Sequence, residues 1–149
     1  MVLKVRGLRR MSVLKFILGL TDAETVKLDF DETTFKNVKY WADRTRKWFK
    51  LGGYIILKSS KGCYHVVFNR SVSWTQNLNV VAWVGLHSQN SGLIKWLLMQ
   101  CIKQSSTLRI SPKREKPSPR IVFRHGKQNQ QISSFLKMRD LTKKIIKKL

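Results

Sequence analysis

Two aspartates, Asp29 and Asp31, are the residues whose type and spacing point most directly to chemistry. They lie in residues 25–31, where apolar and polar side chains alternate strictly, and this alternation predicts a strand. Side chains two residues apart on a strand project from one face, about 7 Å apart at the backbone. Two carboxylates held this way repel unless a hard cation lies between them, which favours a Mg²⁺ or Mn²⁺ site. The alternative is a solvated strand end, with Asp31 capping the next helix.

A predicted β-hairpin offers a second group of polar side chains. Residues 54–59 and 63–68 are β-rich, and Ser60, Lys61 and Gly62 join them as a turn. His65 lies on the same face as the two aspartates if its apolar neighbours in the alternation belong to the core. The hydroxyl, ammonium and backbone N–H groups of the turn suit a phosphate. On its own, a single histidine favours an ordinary core or surface position over a phosphate contact.

These two stretches resemble a known family. Leu28-Asp29-Phe30-Asp31 and the run from Ser59 to Phe68 are similar to the first two motifs of the archaeo-eukaryotic primase superfamily. The resemblance covers residues 26–122 and implies DNA primase or polymerase activity, that is, template-directed nucleotidyl transfer. It also implies that Asp29 and Asp31 are catalytic and bind Mg²⁺ or Mn²⁺.

The resemblance assigns further residues to phosphate and template. It implies that His65 is catalytic and contacts the phosphates of the incoming nucleotide, with Ser60 and Lys61 in the same pocket. Residues 107–113 are similar to a late strand of small plasmid and viral members, which puts Arg109 and Lys113 near nucleotide or template. The same likeness to small members suggests an archaeal plasmid or virus as the source.

The third carboxylate of that family has no counterpart in this sequence. No Asp or Glu occurs between Arg44 and Arg114, and the next acid, Glu115, lies in a basic loop that holds all three prolines. Such a loop is a poor place for a rigid metal ligand. Two carboxylates can hold one metal through water and substrate phosphates, so the sequence predicts a reduced or degenerate metal site.

The net charge indicates an anionic partner. Thirty Lys and Arg residues against eight Asp and Glu residues give a formal charge of +22. A charge of this size favours nucleic acid as the partner, with an anionic membrane surface as the second alternative. The resemblance implies three partners: DNA as a single strand or primed template, nucleoside triphosphates, and a replication helicase. Two Cys and three His residues exclude a disulfide framework and disfavour structural zinc.

The elements that position these residues predict an α+β fold. Alternation and turn residues predict strands at 25–31, 54–59, 63–68, 107–110 and 120–124, and helical spacing predicts helices at 12–23, 33–49, 93–103 and 132–149. Residues 72–86 are ambiguous, with Asn77 and Asn79 favouring a loop. The β-α-β-β-α-β order is RRM-like or ferredoxin-like, with helices on one sheet face and the other face open. We predict a basic N-terminal segment with a short helix (1–24), a primase-like core (25–126) and a basic C-terminal helix (127–149).

Two other functions stay open at this point. Residues 17–24 resemble the LAGLIDADG helix of homing endonucleases, with Gly19 at a helix contact and Glu24 as the metal-binding acid. A basic RRM-like sheet would also bind single strands without catalysis. Since Trp and Tyr are more commonly core residues, no aromatic ring is singled out as a base-stacking platform.

The apolar stretch at residues 11–20 is the part of the chain most similar to a targeting segment. It is too short to span a membrane, contains Lys15, and continues into Asp22 without a small-residue cleavage site. We therefore expect a cytoplasmic protein that is not exported and does not bind a membrane.

Overall fold

The computed structural model describes residues 1–8 and 15–148, with only the backbone described at 5–8 and 15–16. Its elements are β1 (Val2–Leu8), β2 (Lys15–Asp22), β3 (Thr25–Phe30), α1 (Phe35–Phe49), β4 (Tyr54–Ser60), β5 (Cys63–Ser71), α2 (Trp74–Ser88), α3 (Ser91–Lys103), β6 (Ser106–Arg109), β7 (Arg120–His125) and α4 (Gln131–Ile146). The strands form two antiparallel sheets, β1-β2-β6 and β3-β5-β4-β7. The predicted α+β class is confirmed. No helix in these ranges is long and apolar enough to cross a bilayer.

The four-stranded sheet contains the predicted strand and hairpin. β5 lies between β3 and β4 and pairs antiparallel with both. Val26, Leu28 and Phe30 alternate along β3 and are buried in a core that includes residues of α1, α2 and α3. Because side chains alternate across a strand, Lys27 and Asp29 face the opposite side of the sheet.

That opposite side is covered, which corrects the prediction of an open sheet face. Ile55, Leu57 and Val67 form a second core with residues of β2, β6 and α4. Those elements contribute Leu18, Leu20, Leu108, Ile132 and Phe135, and Ile110 joins them directly after β6. The sequence carries a signal for this second layer, because four successive residues of β4, Tyr54 to Leu57, are buried. A continuous apolar run is typical of a strand covered on both faces.

β2 corrects the helix predicted at residues 12–23. Residues 12–14 lie outside the described part of the chain, and Lys15–Asp22 form a strand paired with β1 on one edge and β6 on the other. A Cβ at Gly19 would lie 2.7 Å from Thr107 Cγ2, so glycine permits the close approach of β6. Pairing on both edges satisfies the backbone and outweighs the helical spacing of the apolar residues. Residues 17–22 therefore do not form the helix that the LAGLIDADG resemblance requires.

β6 is the last strand of the predicted β-α-β-β-α-β order, but it pairs with β2 rather than with β3. It remains tied to β3 through Lys27, whose Nζ donates to the Ser106 carbonyl at 3.1 Å and to Asp22 Oδ1 at 2.7 Å. β7 occupies the sheet edge beside β4. The strands of the predicted order therefore do not share one sheet.

The ambiguous segment at residues 72–86 is largely helical and forms most of α2. Ser73 caps this helix in a reciprocal capping box with Gln76. Asn77 is buried, and its Nδ2 donates to the carbonyls of Ala23 at 3.0 Å and Thr25 at 2.9 Å. The loop suggested by Asn77 was therefore wrong, because this asparagine bonds the turn before β3 instead of ending a helix.

Candidate functional site

Asp29 and His65 form the centre of the candidate site. They are directly opposed in the β3–β5 register, and His65 Nε2 lies 3.4 Å from Asp29 Oδ1. The side chain of Asp29 is 26% exposed and that of His65 is 5% exposed. Burial, with a contribution from Arg109, lowers the pKa of His65 to about 3. The histidine is therefore neutral, and it lies beneath the more exposed carboxylate.

The carboxyl group of Asp29 is far from its usual acidity. Burial, and then the negative charge of Asp31, raise the pKa of Asp29 to about 7, while Arg109, Lys116 and Lys113 act in the opposite direction. These cations compensate the negative charge only in part, so the carboxyl group of Asp29 is partly protonated near neutral pH. A divalent cation would favour the charged form, so the carboxylate pair fits the expected Mg²⁺ or Mn²⁺ in charge and in ligand type.

Asp31 follows β3 and is held at the beginning of α3. Its backbone N–H donates to Asn90 Oδ1 at 3.3 Å, and Asn90 Nδ2 donates to the Asp31 carbonyl at 2.7 Å. A Cβ at Gly92 would lie 2.7 Å from Asp31 Oδ2, so the missing side chain gives this carboxylate its place at the helix N-terminus. The alternative role of Asp31 as the cap of α1 was wrong, since Thr34 caps that helix.

Arg109 connects the candidate site to the hairpin and to the proline-rich loop. Its guanidinium donates to the carbonyl of Ser59 at 3.1 Å, to that of Pro117 at 2.9 Å and to that of Ser111. These carbonyls belong to β4 and to the loop between β6 and β7, so the Arg109 side chain ties this loop to β4 at three points. Its positive charge also acts on Asp29.

A cavity of about 260 Å³ opens beside Asp29, and we call it the Asp29 cavity. Its charged lining residues are Asp29, Lys4, Lys103, Arg109 and Lys113. It therefore combines one carboxylate with several cations, an arrangement that suits a phosphorylated ligand with a bound metal.

A larger groove of about 550 Å³ lies between the β4–β5 hairpin and the loop before β7, and we call it the hairpin groove. Its charged lining residues are Lys58, Lys61, Lys116, Arg120 and Glu115. Four cations against one acid make this surface strongly attractive to phosphates.

The structure divides the predicted phosphate-binding residues between these two places. Ser60 and Lys61 line the hairpin groove, whereas Arg109 and Lys113 line the Asp29 cavity. His65 is absent from the described lining of both. Its contact with a phosphate therefore stays a prediction, and its observed contact is with Asp29.

Sequence reasoning missed several cations of the site. These are Lys4 and Lys103 in the Asp29 cavity, and Lys58, Lys116 and Arg120 in the hairpin groove. Nothing distinguishes them from the other lysines and arginines in the sequence. Lys4 reaches the site because β1 pairs with β2, which in turn places Gly19 opposite Arg109. Lys4 could be assigned to the site only from knowledge of this strand order.

Within residues 1–8 and 15–148, no group of three or more His, Cys, Asp and Glu side chains is placed to hold a metal ion. Glu115, the acid nearest in sequence to the missing third ligand, lines the hairpin groove. Asp29 lines the Asp29 cavity and Asp31 is not among its described lining residues, so a metal held by both carboxylates and completed by water and phosphate oxygens stays a prediction.

No protein-family model, curated protein or solved structure matches this chain.

Proposed function

We propose that this protein binds DNA as a single strand or primed template and transfers nucleotides at Asp29 and Asp31 with Mg²⁺ or Mn²⁺. The observation that carries the proposal is the Asp29 carboxylate, which is paired with His65 in the β3–β5 register and lines a cavity rich in cations. Arg109 and Lys113 act electrostatically on the same carboxylate. The resemblance to the archaeo-eukaryotic primase superfamily supports the same assignment, with an RRM-like core in which the strand β6 has moved to a second sheet.

In this proposal the protein's own residues have separate tasks. Arg109 and Lys113 neutralise triphosphate charge in the Asp29 cavity, and Lys61 binds phosphate in the hairpin groove. Neutral His65 holds the Asp29 carboxylate at its place in the β3–β5 register. When bound, Mg²⁺ or Mn²⁺ supplies further neutralisation of the charge that develops during in-line attack.

A second candidate function is binding of single-stranded nucleic acid without catalysis. It is favoured by one observation, the lack of a third metal-ligating side chain beside Asp29 in the described part of the chain. In this candidate the hairpin groove still binds the nucleic acid, whereas Asp29 and Asp31 take no part in a reaction.

Extension assays separate the two candidates. Purified protein is incubated with primed and unprimed DNA templates, labelled nucleotides and Mn²⁺ or Mg²⁺, beside the Asp29→Asn/Asp31→Asn variant. Asp140→Asn is the matched control, since its carboxylate is 58% exposed on α4. Template-dependent product that is lost in the double variant and kept in the control supports transfer. Binding without product in any of the three proteins supports the non-catalytic candidate.

A further inference from the structure

The exposed side of α1 carries aromatic rings and cations in alternation. Lys36, Tyr40, Arg44 and Trp48 follow each other at intervals of four residues, and all four are exposed. Residues four apart lie on one helix face, so these side chains form a continuous stripe, which we call the α1 stripe. Lys47 is also exposed beside it. α1 packs on the face of the four-stranded sheet that is opposite to Asp29, so this surface is separate from the candidate site.

The two rings of the stripe are exposed although both are large. Trp48 is 71% exposed and Tyr40 is 50% exposed. Each is supported from below by another ring: Trp48 lies nearly parallel to Trp83, at 10° and 6.2 Å between centroids, and Tyr40 meets Trp41 edge-on at 5.2 Å. Trp48 is therefore held on one face and open on the other for stacking. The Tyr40 ring carries the Arg44 guanidinium over one face, and a guanidinium is itself a plane on which bases stack.

The charges around the rings are positive. Arg44 lies over the Tyr40 ring at 5.4 Å and donates to its hydroxyl at 3.1 Å. The one acid of α1, Asp43, is engaged by Lys39 at 2.8 Å and by the Tyr54 hydroxyl at 2.7 Å. The acid that α1 itself contains is therefore already paired and does not neutralise the cations of the stripe.

We propose that the α1 stripe is a second nucleic-acid contact, on which bases of a single strand stack on Trp48 and on the Tyr40–Arg44 pair while Lys36 and Lys47 contact phosphates together with the Arg44 guanidinium. Aromatic platforms within a basic surface bind single strands by this combination, and every base offers a face to stack on. Paired bases in a duplex do not offer their faces, so the stripe discriminates single strands from duplexes. The proposal goes beyond nucleotidyl transfer, because it concerns a surface on the other side of the sheet.

The test measures binding of labelled oligo(dT) and of a duplex of the same length to wild type, Tyr40→Ala, Trp48→Ala and Arg44→Gln. Ile102→Ala is the matched control, since Ile102 is an apolar residue that is 83% exposed on α3. We expect each ring variant to bind the single strand roughly 5- to 150-fold more weakly, with the salt dependence unchanged. Arg44→Gln is expected to lower the slope of log K against log salt by about 1. Duplex affinity should not change in the ring variants.

A spectroscopic readout guards against an effect of misfolding. Stacking quenches the indole of Trp48, so oligo(dT) should reduce the fluorescence of wild type more than that of Trp48→Phe, which retains a ring. Ring variants that bind like Ile102→Ala would overturn the proposal, as would binding to anionic vesicles in place of oligo(dT). Failure of the wild type to bind any oligonucleotide would overturn both this proposal and the proposed function. If oligo(dT) quenches the fluorescence of wild type as expected, but no extension product depends on Asp29 and Asp31, this proposal stands and only nucleotidyl transfer is overturned.

Discussion

Asp29 and His65 oppose each other across β3 and β5, with His65 Nε2 3.4 Å from Asp29 Oδ1. Burial keeps the histidine neutral, with its pKa lowered to about 3, and raises the pKa of the aspartate to about 7. The pair is thus a neutral base beside a carboxyl group that is partly protonated near neutral pH. Ionisation of the Asp29 carboxyl at this buried position lowers the stability of the metal-free fold, and a bound cation would offset that loss. A prediction on stability follows.

Asp29→Asn should become more stabilising as the pH rises. The folded-state pKa of Asp29, about 7, is above its ordinary value of 3.8, so the folded state binds more protons than the unfolded state between these values. Wild-type stability from this group is therefore lost as the pH rises through that window. In buffer with a chelator, the free energy of unfolding of the variant relative to wild type should increase between pH 4 and pH 8, by at most about 4 kcal/mol. Parallel pH profiles of the two proteins in urea unfolding would contradict the raised pKa.

The buried pair of Lys27 and Asp22 should be sensitive to removal of one partner. Lys27 is fully buried and Asp22 is 14% exposed, and their salt bridge of 2.7 Å joins β3 to the end of β2. Burial lowers the pKa of Lys27, and Asp22 opposes this shift. Asp22→Asn leaves the ammonium buried without its counter-charge and should cost about 3 to 5 kcal/mol in urea unfolding. The Asp22→Asn/Lys27→Met protein should lose clearly less, and an equal loss would mean that the charges are not coupled.

Gly92→Ala tests how Asp31 is held. Alanine normally stabilises a helix position relative to glycine by about 1 kcal/mol. Here its Cβ would lie 2.5 Å from the Asp31 Cβ, so the segment that carries Asp31 must move. We expect a loss of thermal stability together with a loss of Mn²⁺ binding. Gly85→Ala serves as the control, because its Cβ would meet only the Ile94 side chain, at 3.2 Å. A Gly92→Ala protein that is more stable than wild type would show that the contact with Asp31 is not tight.

The hairpin groove should account for part of the salt dependence of DNA binding. Each phosphate contact that is removed lowers the slope of log K against log salt by about 1. The double variant Lys61→Ala/Lys116→Ala should therefore lower it by about 2, because both lysines line the groove. Lys147→Ala/Lys148→Ala removes the same charge from exposed residues after α4. If both double variants change the slope equally, phosphate contacts are spread over the surface rather than concentrated in the groove.

The elements with strong local signals could be predicted from the sequence. The alternation around Leu28 and Phe30 predicted β3 and the face of Asp29, and the Gly62 turn predicted the hairpin that aligns His65 with it. Gly62 has a φ of 71°, which is the left-handed conformation that glycine adopts readily. In these segments the alternation, the turn residue and the strand pairing all specify the same register.

Features that depend on distant pairing were not predictable in the same way. β2 contains apolar residues at helical spacing, but its position between β1 and β6 decides its conformation. The covered sheet face depends on the same pairing, since Leu18 and Leu20 reach the second core only when β2 is a strand. The exposure of Trp48 was also missed, because sequence periodicity places it on α1 but does not show that α2 supports only one side of its ring.

Binding of Mn²⁺ in the presence of a nucleoside triphosphate, measured by electron paramagnetic resonance, tests the central claim most directly. Wild type and Asp140→Asn should bind the ion, whereas Asp29→Asn and Asp31→Asn should each lose most of this binding while remaining folded. Equal Mn²⁺ binding by all four proteins would contradict the assignment of Asp29 and Asp31 as the metal-binding carboxylates.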